Sequence, residues 1–314
     1  MGRQTHADLL GLCRLKDVSW YLIAREVLRA RDVAHLYEGD VTELSKEADA
    51  ARRILKSSRK RLNDARNEAA EIIAAAEVRG ASLTTVLDED YPLNLRTIYN
   101  LPPFLFYRGR LDADQDARSV AVVGTREASA DGLAQARETA RLLSQQGVTV
   151  LSGLARGIDG AAHEAALDAA GRTVAVMGTG IHLTYPKEHV ALAQRIVDTG
   201  GALVSQFWPD APPTTYSFPR RNVTMSGMGQ GTVVIEASST SGARMQARLA
   251  LDHGRKVFLV HSLVTMQPWA RKCLDRGAVE VQQVSDIITK LQAPSRIRAR
   301  AHKADQLELL SKSQ

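Results

Sequence analysis

The sequence predicts an α/β fold: a doubly wound parallel sheet preceded by a small helical domain. Three observations carry that prediction. Strand-length apolar runs recur between residues 120 and 281, most of them followed by a helical pattern. The runs are continuous rather than alternating, as expected for parallel strands covered on both faces. Glycines cluster directly after several of them, where tight βα turns need a residue without a Cβ.

Residues 1–80 supply the helical part. Over 19–30 (SWYLIAREVLRA), Trp20, Ile23, Ala24 and Val27 recur at helical spacing. Residues 44–78 are rich in Ala, Glu, Lys and Arg, contain no Gly or Pro, and read as a long helical segment. Ile54, Ala65, Ala69, Ile72, Ile73 and Ala76 form its apolar stripe, and the basic stretch 52–61 reads as a solvated face. Gly80 closes the segment as a C-cap.

The second domain is expected over 81–292. Asp90-Tyr91-Pro92 and Leu101-Pro102-Pro103 punctuate short extended pieces that end in FLFY (104–107) and the turn at Gly109. Strand 120–123 then ends in Gly124, and helix 130–146 places Leu133, Ala136, Ala140 and Leu143 on one side. Strand 148–151 runs into Ser152-Gly153, followed by a helix over 161–170. Strand 173–177 ends in Gly178-Thr179-Gly180, ahead of a helix over 187–199 and a strand over 202–205. Strand 232–235, helix 243–253 and strands 257–260 and 279–281 complete the βαβ rhythm. From 293 to 314, Arg296, Arg298, Arg300 and Lys303 in an apolar-poor stretch predict a flexible basic tail.

The 314 residues, 44% hydrophobic and 24% charged, suit a globular protein with an ample core. A net charge of +6 favours a polyanionic partner. Cys13 and Cys273 stand in no CxxC or Cys/His spacing, which argues against a disulfide framework or a structural metal site. No apolar run reaches the roughly 18 residues needed to cross a bilayer, and residues 1–10 carry no secretory h-region. A cytoplasmic location without membrane contact is therefore expected.

In an open parallel sheet, ligands bind beyond the carboxyl ends of the strands. Gly124-Thr125-Arg126, Ser152-Gly153-Leu154-Ala155-Arg156-Gly157 and Gly178-Thr179-Gly180 all fall there. Glycine lets backbone amides approach an anion, and a following helix adds its positive end, so phosphate is the natural ligand. GxGxxG is missing after strand 120–123, and no GxxxxGKS/T occurs anywhere. Both absences argue against NAD-dependent and ATP-driven chemistry, and no cofactor is expected.

VAVVGTREAS (120–129), VLSGLARGIDGAAHEAAL (150–167), VAVMGTGIHLTYPKEH (174–189), FPRRN (218–222) and VVIEASSTSGA (233–243) closely resemble the DprA/Smf family. DEDYPLNLRTIYNLPPFLFYRG (88–109) matches that family's lead-in, so the resemblance runs from about 83 to 281. It implies an extended Rossmann-like fold that binds single-stranded DNA, usually as a homodimer. It also implies protection of incoming strands and loading of a RecA-type recombinase during natural transformation and recombination, with no catalytic turnover. By motif position, Arg126 and Lys187 look like the family's main DNA-contacting charges, with Arg156, Arg220 and Arg221 in the same set of loops. Phe218 and Tyr185 offer faces on which bases could stack. Asp159 and His163 read as structural, Asp159 as an N-cap. The expected DNA- or phosphate-binding set is Gly124, Thr125, Arg126, Ser152, Gly153, Arg156, Gly178, Thr179, Gly180, Lys187, Phe218, Arg220, Arg221, Asn222, Ser241 and Gly242.

The pattern departs from the family in three places. FPRRN is followed by Val223-Thr224-Met225-Ser226 rather than another arginine. Gln206 follows Ser205 where the family carries a glutamate, and His261-Ser262-Leu263-Val264-Thr265-Met266 replaces a Pro-Gly turn and a polar Gly-Asn loop. Gly229-Gln230-Gly231-Thr232 followed by Glu236 is also similar to the PGGxGTxxE signature of lysine-decarboxylase-like (LOG) phosphoribohydrolases. That similarity gives the alternative, a nucleotide-binding or nucleotide-cleaving protein of anti-phage defence. Its glutamate falls one residue late, which on a strand turns the carboxylate to the opposite face.

Overall fold

A computed structural model describes residues 2–299. The chain begins with helices α1 (Arg3–Cys13), α2 (Trp20–Ala30), α3 (Ala34–Tyr37), α4 (Lys46–Ser57) and α5 (Arg59–Val78). Ser19 caps α2, its hydroxyl accepting the Leu22 N–H, and the helix buries Leu22, Ile23, Ala24 and Val27. The segment read as continuous over 44–78 is two helices that meet at Ser58. Serine hydroxyls compete for backbone hydrogen bonds and weaken a helix interior; Ser57 Oγ here donates to the Ile54 carbonyl at 3.1 Å. Beyond the break, α5 lies close on α1 at Gly11, where a Cβ would come within 2.9 Å of Arg66 Cα. Leu62, Ala65, Ala69, Ile73 and Ala76 form its buried stripe. Gly80, at φ +76, ends it.

The rest of the chain continues through β1 (Ser82–Thr85), β2 (Phe104–Gly109), β3 (Ser119–Val123), α6 (Ala130–Gln145), β4 (Thr149–Ser152), α7 (Ile158–Asp168), β5 (Thr173–Val176), α8 (Val190–Asp198) and β6 (Ala202–Ser205). It then forms α9 (Ser217–Met228), β7 (Gly231–Val234), α10 (Gly242–Asp252), β8 (Lys256–Val260), α11 (His261–Met266), α12 (Pro268–Leu274), β9 (Val279–Val281) and α13 (Val284–Ile288). Among the described residues the nine strands make one sheet, in the order β1-β2-β6-β5-β4-β3-β7-β8-β9. From β6 to β9 every pairing is parallel, with Val122 opposite Val233 and Val233 opposite Phe258 at the centre. At one end of the sheet β2 pairs antiparallel with β6 and β1 antiparallel with β2, an addition to the parallel sheet read from the sequence. Every residue of β3, β4, β5, β6 and β7 is buried, which is why their sequences are continuous apolar runs.

Phe104 and Phe106 of β2 are fully buried, and the Trp20 and Trp208 rings lie 5.1 and 5.3 Å from Phe104. These aromatics join the N-terminal helices and the sheet in one continuous core. Helix α7 starts at Ile158 rather than 161, because Gly157 at φ +69 turns the chain directly into it. The helix read over 187–199 is a 3₁₀ turn, Lys187–His189, followed by α8. Helices α9, α11 and α12 were not read from the sequence; α9 is buried over residues 221–228, so it shows no polar face and no helical period.

Most of the basic tail expected over 293–314 lies outside the described residues. Within them, 294–299 is helical, Ile297 is buried, and Arg298 pairs with Asp114. Among the described residues no helix is long and apolar enough to cross a membrane.

Candidate nucleic-acid interface

Strand β3 is the topological switch point. The chain moves outward on one side through β4, β5 and β6, then returns to place β7, β8 and β9 on the other. A cleft of about 360 Å³ opens beyond its carboxyl end, between the β3–α6 turn, the start of α7, α9 and the first turn of α10.

The turns around this cleft fit into one another. A Cβ on Gly157 would lie 2.4 Å from the Thr125 carbonyl oxygen, and one on Gly124 would lie 2.3 Å from Ile158 Cγ1. The other glycines read as phosphate-facing make room for neighbours. Gly178 lies against the Phe218 ring, Gly180 against the Trp208 and Pro209 carbonyls, and Gly153 against the Arg221 guanidinium. Gly178, Thr179 and Gly180 are buried, and Thr179 Oγ1 donates to the Leu183 carbonyl. The Gly153 N–H, expected to face an anion from outside, donates to Asp159 Oδ2 at 3.1 Å. Ser152 Oγ donates to the Val122 carbonyl at 2.6 Å. Asp159 therefore braces the loop rather than capping the helix; Gly157 holds the N-cap position of α7.

Three predicted cations are exposed: Arg126 lines the cleft, Lys187 follows two residues after Tyr185, and Arg220 stands in the first turn of α9, close enough to α2 for its charge to act on Tyr21. The Arg126 guanidinium lies over the Phe218 ring, 5.2 Å from its centroid, and Tyr185 approaches the other way, ring centroids 5.9 Å apart. Phe218 is partly exposed and Tyr185 is 47% exposed, so both rings offer surface to a ligand. Arg156 is exposed but spends both arms on Glu188, at 2.5 and 2.6 Å, which offsets its charge. His189 Nδ1 meets the Leu154 carbonyl at 2.9 Å, tying the Lys187 turn to the loop before α7; Leu154 is buried there at φ +59. A left-handed backbone at a bulky residue is held only by its surroundings.

Arg221 and Asn222, read as loop residues, sit inside the molecule on α9. Arg221 Nη1 donates to the Val176 carbonyl at 3.0 Å and Nε to Asn222 Oδ1 at 3.0 Å. Burial raises the Asp159 carboxyl pKa, opposed by the Arg221 charge; burial likewise lowers the Arg221 pKa. Arg221 ties α9 to the end of β5, and Asp159 holds the turn after β4, beneath the exposed Arg126–Phe218–Tyr185 group. At the far wall Ser241 caps α10, its hydroxyl accepting the Ala243 N–H at 3.2 Å, and Gly242 is exposed beside it. Glu188, which the sequence reading did not single out, sets how much of Arg156 is free; its position directly after Lys187 was the available signal.

Residues 82–292 match the family model of DNA recombination-mediator protein A. The chain belongs to this family. Smf of Escherichia coli is 41% identical over 207 residues, 65% of this chain and 55% of that protein, so the match spans about half of that relative. DprA of Bacillus subtilis is 32% identical over 223 residues, 70% of this chain and 74% of the relative. The X-ray structure of Streptococcus pneumoniae DprA superposes with TM-score 0.70 at 27% identity, covering 93% of this chain and 99% of that one. DNA processing protein A of Helicobacter pylori shares the fold, TM-score 0.59 at 24% identity over 67% of this chain and 94% of its own.

In this chain, Glu236 is turned away from the cleft. Its carboxylate accepts from Ser129 N–H at 3.0 Å and Ser129 Oγ at 2.8 Å, at the N-terminus of α6. A Cβ on Gly132 would lie 2.0 Å from Glu236 Oε2, so the helix start is fitted to this carboxylate. The nucleotide-cleaving reading assigned Glu236 to catalysis; here it serves the helix.

Proposed function

We propose that this chain binds single-stranded DNA across the carboxyl ends of β3, β4 and β5. In this reading it protects the strand and presents it to a RecA-type recombinase, as a homodimer and without turnover. The observation that carries the proposal is the exposed group of Arg126, Phe218 and Tyr185 beside Lys187. Aromatic faces next to phosphate-binding cations are what a strand without sequence specificity requires. DNA processing protein A from Helicobacter pylori has a single-stranded DNA binding mode.

Phosphates would rest on Arg126, Lys187 and Arg220 and on the exposed start of α10 at Ser241 and Gly242, with bases against Phe218 and Tyr185. Gly124, Thr125, Ser152, Gly153, Gly178, Thr179, Gly180, Arg221 and Asn222 would shape the floor, and Arg156 would join the ligand only by leaving Glu188. Fluorescence anisotropy with labelled single-stranded and duplex oligonucleotides tests this. The wild type should prefer the single strand, binding should weaken steeply with salt, and the Arg126→Glu, Lys187→Glu double variant should lose it. Salt-independent affinity, or a variant that binds as well as the wild type, would overturn the proposal.

A further inference from the structure

A second cleft, of about 370 Å³, lies between the Ser239–Ser241 loop, α10 and α12. Arg244 and Arg248 of α10, Lys272 of α12 and Arg276 just beyond it bring four cations to its walls. Arg244 Nη1 donates to the Ser239 carbonyl at 2.7 Å, and Arg276 pairs with Asp252 at 2.8 Å. Arg248 and Lys272 are exposed and make no ion pair among the described residues. Trp269 also lines the cleft; it is only 6% exposed, and its indole N–H has no acceptor among the described residues. Ser241 lines this cleft and the strand-end cleft alike, so the two are contiguous around the first turn of α10.

The chemistry here differs from that of the first cleft. Its aromatic residue is buried, so bases have no exposed ring to stack on. What it presents is cations and the Ser239 and Thr240 hydroxyls, all of which suit phosphate oxygens. Its excess of positive charge continues that of the rim at Arg126 and Lys187.

We infer that this cleft carries the continuation of the strand: the phosphodiester backbone leaving the strand-end groove crosses the Ser239–Ser241 loop and runs over Arg248 and Lys272 between α10 and α12. The inference rests on the single-stranded DNA reading above and extends its footprint. The lane would read backbone alone, so it would serve any sequence.

Salt titrations of affinity with the full chain test it, using labelled oligothymidines of about six and about twenty nucleotides. Each phosphate neutralised on a single strand adds about 0.7 to the salt slope. The longer oligonucleotide should therefore show the steeper slope. An Arg248→Glu, Lys272→Glu variant should leave the short oligonucleotide's affinity and slope as in the wild type, and lower the long one's slope by about 1.4. Arg248→Gln, Lys272→Gln should act in the same direction with an unchanged thermal melt, which separates the effect from misfolding. Superimposable long-oligonucleotide titrations for wild type and both variants would overturn the lane. If the wild type ignored the short oligonucleotide yet bound the long one through Arg248 and Lys272, the strand-end groove would fall and the lane would stand.

Discussion

The Arg126 guanidinium carbon lies 5.2 Å from the centroid of the Phe218 ring. The contact joins the turn after β3 to the first turn of α9, two segments 92 positions apart in the chain. Phe218 is seated on Gly178, where any Cβ would meet ring carbons at 2.7 Å, and is flanked by Tyr185. Cation, ring and second ring are thus placed by three different strand ends.

Phe218→Ala should weaken single-stranded DNA binding by about 1–3 kcal/mol, the usual worth of one base–aromatic stack, or roughly five- to 150-fold in Kd. The slope of affinity against salt should stay as in the wild type, because no charge is removed. Anisotropy at several salt concentrations reads both quantities. An unchanged Kd would remove Phe218 from the interface and leave it a packing residue.

Gly153→Ala should destabilise the protein although it adds one methyl group. The new Cβ would lie 1.5 Å from Arg221 Nη1, and that guanidinium is buried and bonded to the Val176 carbonyl. Displacing it breaks the Val176 bond of a buried guanidinium, and a hydrogen bond to a charged group is worth about 1.5–3 kcal/mol. Urea unfolding should show a midpoint shifted downward by a corresponding amount. A midpoint equal to the wild type's would mean that Arg221 moves freely and that its bond to Val176 does not hold α9.

His163 predicts a pH dependence of stability. It is fully buried, and Thr173, whose hydroxyl donates to the Val150 carbonyl at 2.8 Å, accepts from its Nδ1 at 2.7 Å. Burial pushes its pKa down to about 3, with smaller contributions from His189 and Arg221. A histidine whose folded pKa is depressed gives stability that is fully present above its unfolded value of about 6.5 and lost as pH falls toward the folded value. Between those limits the loss approaches about 1.4 kcal/mol per pH unit. The stability difference between wild type and His163→Gln should therefore shrink or reverse from pH 7 to pH 4. A difference constant over that range would show that His163 is not held neutral.

The parallel strands and most helices were legible because parallel strands covered on both faces leave continuous apolar runs, as at 120–123 and 232–235. The glycines at 124, 153 and 178 were legible as strand-end residues, but their partners were not: Ile158, Arg221 and Phe218 come from distant segments, and only packing brings them there. Arg221 and Arg220 are adjacent in sequence yet one is buried and one exposed, since a helix turns successive side chains by about 100°. That distinction was hidden as long as α9 was unrecognised. The aromatic–cation pairing of Arg126 with Phe218 left no local signal, whereas both motifs were visible separately.

Glu236 gives the sharpest separation between the binding and cleaving readings. Its carboxylate takes the Ser129 N–H and hydroxyl at the start of α6, where negative charge meets the positive end of a sixteen-residue helix. Glu236→Gln keeps the size and one acceptor but removes the charge, so the protein should lose about 0.5–1 kcal/mol of stability. Single-stranded DNA affinity should be that of the wild type, since the side chain does not line the strand-end cleft. Thermal melts and anisotropy on the same preparation check both halves. A variant that melted like the wild type yet had lost its ligand would place Glu236 in the site and return the nucleotide-cleaving reading to first place.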